Sequence, residues 1–204
     1  MNFTDRKKAI QPLSIPLSTI IPKMIKRLSL SIGLLFITSI SLAQFDSSFI
    51  KMNIRHCADS LTYGFKTRNW EVFTRYSYPA MIGTLGGTKE FIAYISDMFS
   101  QVPDSAWKKY EAGKILQVIK TGGDFQTIIE LNSIIEWQGV RITTTSHLVG
   151  ESWDGGMFWT FFDSQGDVNA AKMIKPDLSE QLIIPKREEK TEPLSTPAKS
   201  KNLP

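Results

Sequence analysis

The sequence predicts an α+β fold, helices on one face of an antiparallel sheet, and three observations predict it. Apolar residues recur at helical spacing from Ser47 to about residue 102, the period changes to two after Trp107, and Gly-rich and Asp-containing turns divide the second half. Helices first and hairpins afterwards is the element order of that class.

The first helix spans Ser47 to Arg68, where Ile50, Ile54, Cys57, Leu61 and Phe65 share one face. A shorter helix covers Trp70 to Tyr76, and Pro79 ends it because the residue before proline disfavours the helical region. Thr88 caps a third, with Glu90 in its first turn, Phe91, Ile92, Ile95, Met98 and Phe99 on its buried side, and a stop near Pro103. Lys109–Lys120, Phe125–Gln138, Val140–Gly150 and Met157–Asp163 then read as strands rich in Ile, Val, Thr and aromatics. Gly122-Gly123-Asp124, Gln138-Gly139 and Asp154-Gly155-Gly156 supply the turns. A final extended segment, Met173 to Pro185, adds a strand or crosses the helices. From Lys186 to Pro204 there are eight charged residues, three prolines and no aromatic, so this tail is expected to be disordered.

The N-terminal part carries a different message. Lys26 and Arg27 precede a 13-residue apolar run, Leu28 to Ile40, and Ser41-Leu42-Ala43 has the small residues of a cleavage site. The run is shorter than the roughly 20 residues a membrane-spanning helix needs. The expectation is an exported protein, periplasmic or extracellular, cleaved after Ala43 and left without a stable membrane anchor; Gln44 follows, so no lipid-anchor cysteine is in place. Domains are therefore expected at 1–43 (extension and signal peptide), 44–185 (one folded domain) and 186–204 (tail).

Charge follows the same division. The whole chain carries +4, yet residues 1–43 hold six bases and one acid, leaving 18 bases and 19 acids beyond Ala43. No basic stripe remains for nucleic acid. Cys57 has no partner for a disulfide and reads as a small buried hydrophobe.

Several chemistries fail on residue types. His56 and His147 are the only histidines, and no Cys or His pair has ligand spacing, so neither a metal nor another cofactor is expected. Gly86-Gly87-Thr88-Lys89 has P-loop residue types in the wrong order. Gly150-Glu151-Ser152-Trp153-Asp154 lacks the second glycine of a nucleophile elbow. Alternation gives the sheet an apolar face with Ile129, Leu131, Ile135 and Trp137 beside Val140, Ile142 and Leu148. Its opposite face carries Gln126, Glu130, Asn132 and Glu136 beside Arg141, Thr143, Thr145 and His147. The bland expectation is that this polar face meets water or a second subunit.

Local text adds a resemblance. Tyr78-Pro79-Ala80-Met81-Ile82, Gly86-Gly87-Thr88-Lys89, the stretch Glu151 to Asp163, and the extended end Ile183-Ile184-Pro185 together resemble the NTF2-like (cystatin-like, SnoaL-like) α+β cone, in particular small exported members from Bacteroidota-type bacteria. The resemblance implies a curved sheet closing over its helices around a pocket for a small apolar ligand, and a homodimer. Trp70, Tyr76, Tyr78, Met81, Trp107, Trp137 and Trp159 are the expected lining. The implied function is non-catalytic ligand binding or self-association through the sheet. The alternatives are a small cofactor-independent isomerase or hydrolase, and a cell-envelope interaction module. No catalytic residue carries over; Glu130 or His147 as base and Tyr78 as donor are the weak candidates.

Overall fold

The computed structural model describes residues 47–194. The expected signal segment, within residues 1–46, and the chain beyond 194 lie outside the described residues. Helix α1 (Ser47–Lys66) buries Ile50, Ile54, Cys57, Leu61 and Phe65, the face that the spacing predicts. Helix α2 (Trp70–Tyr76) starts where the Asn69 side chain accepts from the Val72 N–H, a regular N-cap. Gly64 lets the two helices meet: a Cβ there would lie 2.6 Å from the Phe73 backbone nitrogen.

Pro79 does more than stop a helix, because it opens another. Helix α3 (Pro79–Thr84) has proline in its first turn, where no N–H is needed. Helix α4 (Thr88–Ser100) follows, with Gly87 at the cap position and no side-chain cap bond, so Thr88 is its first helical residue and not its cap. Phe91 and Ile95 are its buried residues. A 3₁₀ turn (Asp104–Ala106) leads into the sheet.

Strands β1 (Trp107–Thr121), β2 (Asp124–Trp137), β3 (Val140–Ser152) and β4 (Thr160–Asp163) form an antiparallel meander in that order. Gln138 and Gly139 both have positive φ (48° and 79°), the two-residue turn whose twist suits a hairpin. Three register shifts on β1 bend that side of the sheet. The fourth strand is shorter than expected: Trp153 to Trp159 form a loop, organised by Asp154 Oδ1, which accepts from Ser152 Oγ (2.8 Å), Met157 N (3.0 Å) and Phe158 N (2.9 Å).

The C-terminal part departs most from expectation. Helix α5 (Val168–Ile174), capped by Asp167, takes in Met173 and Ile174, the first two residues of the expected extended segment. Neither a strand nor a helix crossing follows. Residues 175–187 run as turns and coil, and Leu178, Leu182 and Ile184 pack on Ile128, Val149 and Phe162. The tail also needs correcting: Glu188–Pro193 is strand β5, paired antiparallel with Val140–Thr145 of β3. Its residues are almost all exposed, so backbone pairing holds it; composition measures burial and misses this.

Two apolar cores result. Helix α1 meets one sheet face through Phe125, Ile129, Leu131 and Leu148, with Trp159 and Phe161 beside them. The expected polar face is apolar at one end, where the C-terminal segment covers it, and keeps Glu130, Asn132 and Glu136 only partly buried farther along. Among the described residues no helix is long and apolar enough to cross a membrane.

Candidate functional site

A cavity of about 600 Å³ lies between the helices and the sheet. Leu61 of α1, Phe73 of α2, Phe91 and Ile95 of α4, and Leu148 and Phe161 of the sheet form its apolar wall. Met81, Leu85, Tyr94, Met98 and Met173 also line it, and all but the partly buried Met81 are exposed, which puts them at its mouth. That volume and this lining suit a small organic ligand.

Two ionisable side chains enter this wall. Tyr110 sits on β1 opposite Ser133, and its ring stacks on Phe65 with centroids 3.9 Å apart. Burial pushes its phenol well above the ordinary value, and the nearby Asp163 charge adds to this, so the group stays a neutral donor.

Asp163 ends β4 opposite Leu148, which turns its side chain to the helix side. Its carboxylate accepts from Gln165 N (2.8 Å), Gln165 Nε2 (2.8 Å) and Ser146 Oγ (3.0 Å). Burial raises its pKa, and the Gln165 and Ser146 hydrogen bonds only partly oppose that. Three donors hold the group as a fixed acceptor at the cavity wall.

Of the seven aromatic and methionine residues expected to line a pocket, Met81 alone lines this cavity. Trp159 is fully buried core, its Nε1 donating to Gly156 O at 3.1 Å. Trp137 stands 38 % exposed beside the β2–β3 turn. Trp70 and Trp107 border separate small clefts near Arg68, and Tyr76 borders another on the outer side of α1 and α2. Tyr78 packs against Phe162 and Trp153 on the other sheet face. Helical periodicity identifies a buried aromatic without saying which layer buries it.

The catalytic candidates also fall outside the cavity. Glu130 and His147 are register partners on the outer face. Glu130 Oε2 accepts from Lys114 N at 3.1 Å, while His147 is buried with Nδ1 unpartnered among the described residues. Tyr78 lies by Glu151 and Lys175, its hydroxyl pKa raised by burial and then by the Glu151 charge. Ser152, in the near-miss elbow, is committed to Asp154. Asp163 and Tyr110 were missed, although Phe161-x-Asp163 alternation was signal enough to put a carboxylate beside an inward phenylalanine.

Fold and cavity define a helix-on-sheet α+β protein with an apolar pocket that carries the Tyr110 phenol and the Asp163 carboxylate in its wall and Tyr94 at its mouth. No family model, curated protein or solved structure matches the chain.

Proposed function

We propose that this is a non-catalytic binding protein of the NTF2-like cone type, exported, whose cavity takes a small, mainly apolar, uncharged ligand bearing an oxygen function. The cavity of about 600 Å³ lined by Leu61, Phe73, Phe91 and Ile95 carries the reading. Tyr110 would donate to the ligand oxygen, and Asp163 would accept from a ligand hydroxyl. An anionic head group is disfavoured, since its charge would meet a carboxylate in a poorly solvated wall.

A proton-transfer enzyme is the second reading, and the raised pKa of Asp163 is what favours it. Binding stands ahead because the three hydrogen bonds from Gln165 and Ser146 lower the basicity of the carboxylate and leave about one of its four acceptor sites, enough to accept from a ligand hydroxyl. Export rests on the segment Lys26 to Ala43.

Native mass spectrometry of the gently purified protein, followed by titration with the neutral dye Nile red, tests the reading. The expected result is a retained small molecule or saturable dye binding that Met98→Trp at the cavity mouth weakens. Absence of both, or binding indifferent to that substitution, would overturn it.

A further inference from the structure

We propose that Arg68 and Trp107 form a binding site for one small monovalent anion, of halide or formate size, where the end of α1 meets the start of β1. The site is separate from the ligand cavity and does not rest on the binding function. Arg68 follows α1 with φ +55°, a left-handed position that helix ends normally give to glycine. An arginine there puts a guanidinium where glycine would put nothing. Nε donates to Asp104 Oδ1 at 2.6 Å and Nη2 to Val102 O at 3.1 Å, which fixes the group's orientation. Its carbon lies 5.5 Å from the Phe65 ring centroid and 5.9 Å from that of Phe99.

Nη1 is the remaining nitrogen, and it is buried with no acceptor among the described residues. Trp107 converges on the same place. Its ring lies 4.8 Å from Phe65 and 6.0 Å from Phe99, and its Nε1–H is likewise buried without an acceptor. Arg68 and Trp107 line one cavity of about 50 Å³, together with Phe65, Lys66 and Asp104.

The chemistry follows from what these atoms are. Guanidinium and indole N–H groups only donate, so one species serving both must be an acceptor. Buried polar atoms are paired as a rule, so two unpartnered donors on residues that line one cavity point to an occupant that accepts from both. Lys66 and Arg68 supply two positive charges against Asp104, whose carboxylate already faces Arg68 Nε, and this balance favours an anion over neutral water. The volume excludes an organic ligand larger than a few atoms.

Bromide is the probe, exchanged for gluconate at constant ionic strength with the full chain. In the native protein the thermal midpoint should rise saturably with bromide, and indole emission should show a saturable quenching component. Trp107→Phe keeps an aromatic ring and removes one donor, so the apparent bromide affinity read from the midpoint should fall at least tenfold. Arg68→Gln should abolish the saturable quenching and leave only the linear collisional part. Should Arg68→Gln not fold, Trp107→Phe decides alone. A midpoint response that is linear in bromide, or equal in native protein and Trp107→Phe, overturns the proposal, as does a bromide-grown crystal with no anomalous peak between the two donors.

Discussion

Lys175 Nζ is hydrogen-bonded to Glu151 Oε1 at a place where both side chains are 1 % exposed. The pair ties the coil after α5 to the end of β3, 24 residues earlier, and Lys175 also reaches the exposed Asp177 Oδ1 at 2.9 Å. Desolvation lowers the Lys175 pKa, but hydrogen bonds to Glu151 and Asp177 outweigh it and the net shift is upward, so the ammonium stays charged. Removing one partner leaves a buried charge uncompensated. Lys175→Met should therefore destabilise by about 3–5 kcal/mol, and Lys175→Met with Glu151→Leu should recover most of it. Urea unfolding of the three proteins checks this.

Asp163 gives the pH prediction. Its folded pKa is raised, so the native state holds the proton more tightly than the unfolded chain. That favourable contribution is full below the unfolded value of about 4 and is lost as pH rises through the raised folded value. Across this window the stability of the native protein should decline more steeply with pH than that of Asp163→Asn, as followed by urea midpoints. Parallel curves would contradict the burial argument.

Tyr110→Phe keeps the ring stacked on Phe65 and deletes the hydroxyl donor. One neutral hydrogen bond contributes about 0.5–1.5 kcal/mol, so affinity for a ligand with an oxygen function should fall roughly two- to tenfold. Binding of a pure hydrocarbon should not change. Parallel titrations of the two ligand types separate the outcomes.

At Gly64 the neighbour is backbone, since a Cβ would come 2.6 Å from Phe73 N and 3.2 Å from Asn69 O. Backbone cannot rotate away as a side chain can. Gly64→Ala should destabilise by about 1–3 kcal/mol through the forced separation of α1 and α2. Thermal unfolding measures it.

Ending the chain at Arg187 removes β5 and bares the β3 edge from Val140 to Thr145. The strand is mostly exposed, so little apolar burial is lost with it. An unpaired edge invites pairing between copies, and the shortened chain should self-associate while the native one does so less. Sedimentation velocity at several concentrations distinguishes the two.

Legibility divided along the range of the interactions. The spacing of Ile50 to Phe65 located α1, and alternation located β1 to β3, because period reports the face a neighbouring layer will bury. Trp159 was readable as buried, yet its layer was not. Whether an aromatic meets a cavity, a core or the outer sheet face depends on segments distant in sequence, such as α5 and residues 175–187. Asp163 and Tyr110 stand 53 positions apart and share a cavity only because β1 and β4 flank the same sheet. No local pattern encodes that meeting.

The sequence by itself determined an α+β order of elements, the buried face of α1, the pairing turn at Gln138-Gly139 and the uneven charge between residues 1–43 and the rest. Tertiary structure alone decided that a charged tail becomes β5 and that Lys175 is buried against Glu151. It also decided which carboxylate reaches the cavity. Helices and hairpins form through contacts within a few residues or across one turn, which local text can specify. Strand addition, ion-pair burial and cavity lining are set by groups far apart in the chain, and only the folded arrangement brings them within hydrogen-bonding or van der Waals distance.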